Sequence, residues 1–242
     1  MSPRRPAPER PGAQEWLPRG RAARDVDALA RAARDCHGCE LWADATQVVF
    51  SRGPERARLV LVGEQPGDRE DREGEPFVGP AGRLLDEALD AAGLSADDVY
   101  LTNAVKHFRF EERGKRRLHK SPDVAHVRAC LPWLTAEVAA VAPRVVVAMG
   151  ATAGRAVLGR PVRVTAERGR VLDLDDEGAE SASPLSQGVP DGDRPPRQRP
   201  PRVVLTTHPS ALLRVRERAE REAAFAAFVD DLRLASDTAG AR

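Results

Sequence analysis

The chain has 242 residues, of which 41% are hydrophobic, and this suffices for the core of one α/β domain. Its formal net charge of +1 excludes a general attraction to polyanions, so any affinity for nucleic acid must come from a local patch. It contains no apolar run long enough to cross a bilayer, and its N-terminus lacks the apolar core of a signal peptide, so we expect a cytoplasmic protein without membrane partners.

The first part of the chain predicts a tail, a short helix and two strands. Residues 1–22 are rich in proline and arginine and lack periodic apolar positions, so we expect a disordered tail. Asp25 is a suitable N-cap for a short helix that leads to a pair of cysteines. Residues Gln47–Phe50 are predicted as an edge strand, and the apolar run Leu59–Val62 as a central strand buried on both faces.

The middle of the chain alternates helices with apolar strands. After Pro80, apolar residues at helical spacing predict a helix that ends at Gly93, a favourable C-cap residue. The next predicted elements are a strand at Val99–Val105, a helix from Ser121-Pro122-Asp123 to Pro143, a strand at Arg144–Met149 and a short helix at Gly150–Leu158.

The last part of the chain returns to the sheet after an irregular stretch. Its predicted segments are a small hairpin over 161–174 with Gly169 near the turn, a mobile insertion over 175–201, a strand at Val203–Leu205, a helix over 217–234 and a tail over 236–242. The alternation of strands and helices predicts a doubly wound parallel sheet with helices on both faces, in one domain over residues 23–235.

Polar residues follow two of the predicted strands. Glu64, Gln65 and Asp68 follow the first central strand, and His208 and Ser210 follow the last one. The carboxyl ends of parallel strands are where ligands bind in open α/β sheets. Each loop alone is consistent with an ordinary turn between strand and helix, but the two together favour a shared pocket.

The segment 106–120, KHFRFEERGKRRLHK, holds seven basic and two acidic side chains and all three lysines of the chain. Interleaved Phe108 and Phe110 allow stacking on bases, and the cations can neutralise phosphates. A solvated charged loop is the alternative, although the segment begins at the predicted ligand-binding edge. Within it, the neighbouring cations bias His119 towards its neutral, nucleophilic form, whereas an ordinary surface histidine remains the other interpretation.

The three cysteines cannot all pair with one another. In a reducing compartment, the Cys36-x-x-Cys39 spacing favours a metal or redox site over a disulfide. Cys130 and His107 are candidates to complete the ligand set. Zinc uses such a set, but an iron–sulfur cluster tolerates widely separated ligands better, and buried structural cysteines remain a third interpretation.

Four motifs resemble those of the uracil-DNA glycosylase superfamily, in its iron–sulfur, family 4-like branch. They are Gly63-Glu64-Gln65-Pro66-Gly67-Asp68, Pro76-Phe77-Val78-Gly79-Pro80-Ala81-Gly82, His208-Pro209-Ser210 with Leu213-Arg214, and Lys115-Arg116-Arg117-Leu118-His119. The last motif resembles the extra loop of the UdgX type, whose members form a covalent adduct with uracil-containing DNA. The likeness extends from about Asp35 to Leu234, and the insertion at 175–201 is long for the family.

The resemblance implies a three-layer α/β/α fold with a central parallel four-stranded sheet. It also implies a 4Fe-4S cluster held by Cys36, Cys39, His107 and Cys130, with His107 standing where ordinary family 4 enzymes have a cysteine. Such a cluster would be structural and would tie the basic segment to the core.

The resemblance also assigns roles in base excision. Phe77 would stack on uracil, Asn103 would hydrogen-bond its polar edge, and His208 would donate to the oxygen that gains charge as the glycosidic bond breaks. In the UdgX type, His119 attacks C1′ while Glu64 accepts a hydrogen bond from the other ring nitrogen. In a simple glycosylase, water held near Glu64 and Asp68 would react instead. The remaining expected substrate-binding residues are Gln65, Gly67, Lys115, Arg116, Arg117, Ser210 and Arg214.

Three functions therefore remain to be distinguished. The first is a monomeric uracil-DNA glycosylase, acting on single-stranded and possibly on duplex DNA, that captures the deoxyribose on His119. The second is a conventional, turning-over family 4 enzyme, and the third is a non-catalytic iron–sulfur module that binds nucleic acid.

Overall fold

The computed structural model describes residues 10–174, 183–185 and 200–240. Within them the strands are β1 (Ser51–Arg52), β2 (Leu59–Gly63), β3 (Val99–Asn103), β4 (Phe110–Arg113), β5 (Arg116–His119), β6 (Val145–Met149), β7 (Val171–Leu172) and β8 (Arg202–Thr206). Six of them form one sheet in the order β1-β3-β2-β6-β8-β7, and β4 pairs with β5 in a separate hairpin. Neighbours among β3, β2, β6 and β8 are parallel, and the two edge strands are antiparallel.

The helices lie on both faces of this sheet. They are α1 (Val26–Ala33), α2 (Asp68–Glu73), α3 (Pro80–Ala92), α4 (Val124–Val141), α5 (Gly150–Leu158), α6 (Val164–Glu167), α7 (Pro209–Leu212) and α8 (Arg218–Gly240). The side chain of Asp25 accepts a hydrogen bond from the Ala28 N–H and caps α1, and Gly93 ends α3 in the left-handed conformation. None of the described helices is long and apolar enough to span a bilayer.

Alternation along the central strands divides the core into two layers. Val60 and Val62 of β2 pack with α1, α4 and α5, whereas Leu59 and Leu61 pack with α3 and α8. Successive side chains of a strand point to opposite faces, so a continuous apolar strand can support helices on both. The expected three-layer α/β/α fold with a central parallel four-stranded sheet is confirmed, with an antiparallel strand added at each edge.

Several predicted elements differ in the structure. Gln47–Phe50 is not a strand, because the edge pairing with β3 begins only at Ser51. The strand predicted at Val99–Val105 ends at Asn103. The hairpin predicted over 161–174 is wrong: this segment contains α6 and then β7, which pairs with the distant β8 instead of with its own neighbours.

Both predicted tails are shorter than expected. Of the tail predicted over 1–22, the part from residue 10 onward includes two 3₁₀ turns and buries Ala13, while residues 1–9 lie outside the described residues. Helix α8 continues to Gly240, and near its end the guanidinium group of Arg144 donates to the carbonyl of Ala239 at 2.9 Å. The insertion predicted over 175–201 lies largely outside the described residues.

Candidate active site

Glu64 follows β2 at the carboxyl edge of the sheet. Its Oε2 accepts a hydrogen bond of 2.7 Å from the Thr152 hydroxyl. Its Oε1 lies 3.7 Å from Nε2 of His119. His119 ends β5, and its side chain is 48% exposed, whereas that of Glu64 is 23% exposed. The carboxylate therefore faces an accessible imidazole that comes from a separate hairpin.

Gln65 joins this hairpin to the sheet. Its Oε1 accepts from the Arg109 N–H at 3.1 Å, and its Nε2 donates to the carbonyls of Arg109 and Lys120 at 3.1 and 3.2 Å. The same Nε2 lies 3.0 Å from Nε2 of His119. The two carbonyls take both hydrogens of the Gln65 amide, so the approach of the two nitrogens is a close contact beside these two hydrogen bonds.

This geometry differs in one respect from the arrangement that the sequence predicts. Glu64 was expected on one ring nitrogen of His119 and the attacking position on the other. Instead, Nε2 is the nitrogen that faces both Glu64 and Gln65. At 3.7 Å the pair is too long for a hydrogen bond, so Glu64 and His119 are neighbours without a direct hydrogen bond.

Arg117 fastens the hairpin from its other strand. Its Nε donates to Asp68 at 2.5 Å, and its Nη1 donates to the buried Asp71 at 2.6 Å. The guanidinium carbon also lies 5.5 and 4.9 Å from the ring centroids of Phe108 and Phe110. Arg117 is only 13% exposed, so its charge is neutralised within the protein and is not free for phosphate.

Asp68 is correspondingly engaged away from Glu64. Burial raises the pKa of its carboxyl, but hydrogen bonds from Arg72 and Arg117 outweigh this and hold the pKa below its usual value. The resemblance implies that Asp68 helps to hold a water near Glu64. In the structure its carboxylate instead pairs with Arg117 and so supports the hairpin.

The side chains of Phe77 and Asn103 lie beside Gly63, the residue before Glu64. A Cβ on Gly63 would lie 2.3 Å from Asn103 Oδ1 and 2.7 Å from Phe77 Cζ, so only glycine fits between them. Phe77 has φ +60, which is costly for a bulky side chain. Gly82 permits this conformation, because a Cβ there would lie 1.7 Å from the Phe77 carbonyl oxygen.

His208 follows β8 and lies beside Phe77. Its ring is 6.4 Å from that of Phe77, centroid to centroid, and its Nδ1 accepts from the Ser210 N–H at 3.1 Å. Burial lowers the pKa of His208 to about 4, so the ring is neutral near pH 7. With Nδ1 accepting, its proton sits on Nε2, which can donate to a ligand.

The other expected substrate-binding residues are Gly67 and three basic residues. Gly67 is the N-cap of α2, and its N–H donates to the Glu70 side chain. Lys115, Arg116 and Arg214 are exposed. Gly114 has φ +63 and forms the tight turn of the hairpin, so Lys115 and Arg116 lie at its tip. Lys115 and Arg116 are therefore exposed cations on the hairpin that also carries His119.

A buried ion pair below the site was not predicted from sequence. The side chains of Lys106 and Glu137 are only 1% and 0% exposed, and they form a direct ion pair. The carboxylate also accepts from the hydroxyls of Tyr100 and Thr102, each at 2.9 Å, and Lys106 donates to the carbonyl of Asn103 at 3.0 Å. The pair thus supports the backbone of Asn103. Its one sequence signal is a lysine in a chain that uses arginine almost throughout.

The four expected metal ligands are all buried. The thiol sulfur of Cys36 accepts from the Trp133 indole N–H at 3.2 Å, and that of Cys130 accepts from the Lys106 N–H at 3.3 Å. Burial raises the pKa of Cys39 to about 11 and lowers that of His107 to about 4. A neutral imidazole is ready to bind a metal, while the thiols need a cationic centre to lose their protons.

These residues do not form a compact site for one ion. Among the described residues, no group of three or more His, Cys, Asp or Glu side chains is arranged to hold a single metal ion. A cluster bonds each protein ligand to a different iron and so needs its ligands farther apart. The buried donor set of three thiols and one imidazole fits a cluster in chemistry.

The N-terminal segment covers the loop that carries Cys36 and Cys39. The N–H of Gly12 donates to the carbonyl of Gly38 at 3.0 Å, and a Cβ on Gly38 would lie 2.8 Å from the carbonyl carbon of Gly12. Arg10 pairs with Glu40 at 2.5 Å and with Asp123, the N-cap of α4, at 3.0 Å. Arg10 therefore joins the cysteine loop to the helix that carries Cys130.

The chain is similar to a known protein family over most of its length. A family model of the uracil DNA glycosylase superfamily matches residues 50–233. The chain belongs to this superfamily. The match includes the Glu64 loop, the hairpin and the His208 loop, whereas the Cys36 loop precedes it.

Individual members of the superfamily resemble the chain over part of its length. It is 36% identical over 149 residues to the type-4 uracil-DNA glycosylase of Thermotoga maritima. This aligned region covers 61% of this chain and 74% of that protein. It is 34% identical over 127 residues to that of Saccharolobus solfataricus, covering 52% and 56%. It is 38% identical over 125 residues to that of Archaeoglobus fulgidus, covering 52% and 59%. The chain thus spans little more than half the length of two of these relatives.

Proposed function

We propose that this member of the superfamily is a uracil-DNA glycosylase that cleaves the N-glycosidic bond of uracil in DNA and captures C1′ of the deoxyribose on His119. The observation that carries the proposal is the 3.7 Å approach of Glu64 Oε1 to His119 Nε2, close to Phe77, Asn103 and His208. The type-4 relatives support uracil in DNA as the substrate.

Excision begins with an extruded base. Uracil would enter between Phe77 and His208, with its polar edge at Asn103, and mismatched or single-stranded uracil costs least to unstack. The N1–C1′ bond breaks and its electron pair leaves with uracil. The Nε2–H of His208 then donates to the uracil oxygen that gains charge, which stabilises the leaving group.

Capture uses the lone pair of a neutral His119 nitrogen. That nitrogen forms a bond to C1′, and the ring becomes positively charged until its remaining N–H proton is shared with Glu64. The half-exposed ring can leave Gln65, rotate and present one nitrogen to C1′ and the other to Glu64. The bond to C1′ replaces the bond to uracil, so the protein remains attached to the DNA.

A conventional, turning-over glycosylase is the second candidate. Two observations favour it: the similar proteins are named type-4 uracil-DNA glycosylases, and the Glu64–His119 distance exceeds that of a hydrogen bond. In that case water near Glu64 would react with the sugar, and His119 would contact phosphate. A non-catalytic nucleic-acid-binding module is the third candidate, and it leaves the strained Phe77 and the paired Glu64 and Thr152 without a role.

We infer that the cofactor is a 4Fe-4S cluster held by Cys36, Cys39, His107 and Cys130. When bound, the cluster would cross-link the cysteine loop, α4 and the start of the basic segment. Support comes from the burial of all four side chains and from the neutral state of His107. A brown protein that absorbs visible light after anaerobic purification is the expected result, and a colourless protein with stoichiometric zinc would refute it.

One gel separates the three functions. Single-stranded uracil DNA is incubated with the protein and run on a denaturing gel, with matched thymine DNA as the control. A retarded band that survives heat indicates covalent capture, a free abasic product indicates turnover, and unchanged DNA indicates a binding module. Size-exclusion chromatography with light scattering tests the expected monomer.

A further inference from the structure

We propose that Thr152 is a positioning residue that holds the Glu64 carboxylate in the orientation needed to face His119. The inference rests on the proposed function of Glu64. It concerns a residue that lies in none of the four sequence motifs.

The sheet places Thr152 beside Glu64. Strand β6 pairs with β2 in parallel register, with Ala148 opposite Val62, so the chain beyond β6 emerges next to the chain beyond β2. Helix α5 begins there at Gly150, and Thr152 lies in its first turn. The register of two neighbouring strands therefore brings together residues that are 88 positions apart in the chain.

The Thr152 hydroxyl has no earlier turn of α5 to donate to, because the helix begins only two residues before it. Here it donates to Glu64 Oε2 at 2.7 Å, the length of a strong bond to a carboxylate.

The two oxygens of Glu64 consequently have separate partners. The terminal torsion of a glutamate is soft, so an unrestrained carboxylate rotates over a broad range. Holding Oε2 on Thr152 fixes the plane of the group and directs Oε1 at His119. The charged or titratable neighbours that face the carboxylate are His119 and His208, and neither would replace the Thr152 bond.

The test compares Thr152→Val with Thr152→Ser. Valine keeps the shape and replaces the hydroxyl with a methyl, whereas serine keeps the hydroxyl. Uracil release from single-stranded DNA is measured under single-turnover conditions over a range of protein concentrations. We expect Thr152→Val to lower the maximal rate about tenfold and the half-saturating concentration to change less than twofold, while Thr152→Ser stays within about twofold of wild type.

A double-variant comparison shows whether the effect passes through Glu64. In a Glu64→Ala background there is no carboxylate to orient, so adding Thr152→Val should leave the residual rate unchanged. An equal loss in both backgrounds, an equal loss in valine and serine variants, or no loss with valine would overturn the proposal. If the wild type itself releases no uracil, the proposed function fails before any variant is compared.

Discussion

Replacing Glu137 with glutamine tests whether the buried ion pair beneath the pocket governs stability. Glu137 and Lys106 are almost completely enclosed, and Lys106 also bonds the hydroxyl of Thr102 and the carbonyl of Asn103. A glutamine has nearly the same shape and can still accept from Tyr100 and Thr102. The substitution thus removes mainly the negative charge that compensates Lys106.

The expected cost is large because the lysine charge stays buried. Removing one partner of a buried pair typically destabilises a protein by about 3–5 kcal/mol, against a total stability of about 5–15 kcal/mol. With a slope of about 2–3 kcal/mol per molar urea, the unfolding midpoint should fall by about 1–2.5 M. Lys106→Met with Glu137→Leu removes both charges and should recover most of this loss.

The assay is urea unfolding of anaerobically prepared protein, followed by far-ultraviolet circular dichroism. Glu222→Gln serves as the matched control, since Glu222 pairs with Arg218 at 2.7 Å on an exposed face of α8. That pair should contribute at most about 0.5 kcal/mol. A Glu137→Gln protein that unfolds within about 1 kcal/mol of wild type would refute the reasoning.

Three further outcomes are expected. His119→Ser should lose the heat-stable DNA adduct yet still release uracil, because water can occupy the vacated space, and an adduct that persists would refute capture by His119. Neutralising Lys115 and Arg116 together should reduce the slope of log Kd against log salt concentration by about 1.4–1.8, at roughly 0.7–0.9 per contact. Adding Arg117→Gln should not lower the slope further, because Arg117 is already paired with Asp68. A larger drop would show that Arg117 contacts phosphate. Arg10→Ala should release the N-terminal cover of the cysteine loop and speed the loss of visible absorbance in air several-fold, and an unchanged rate would contradict that role.

The sequence alone determined the layered fold and which loops meet at one edge of the sheet. Continuous apolar runs such as Leu59–Val62 have the composition of strands buried on both faces, and the Gly63 motif and the His208 loop follow such strands directly. In a parallel sheet those loops must meet at one edge, so their proximity follows from topology. Edge elements were less predictable, because Ser51–Arg52 and Val171–Leu172 are too short to show a period and exist only through pairing with distant strands.

Only the tertiary structure decided which partner each polar side chain pairs with. The sequence marks Arg117 as one cation among seven, but only the folded hairpin brings it against Asp68 and takes it away from phosphate. Thr152 and Glu137 lie in helices without any motif, and their partners are fixed by strand register and helix packing across long stretches of chain. Hydrogen bonds and ion pairs depend on distances of a few ångströms, and such distances arise only once the hydrophobic layers have fixed the backbone.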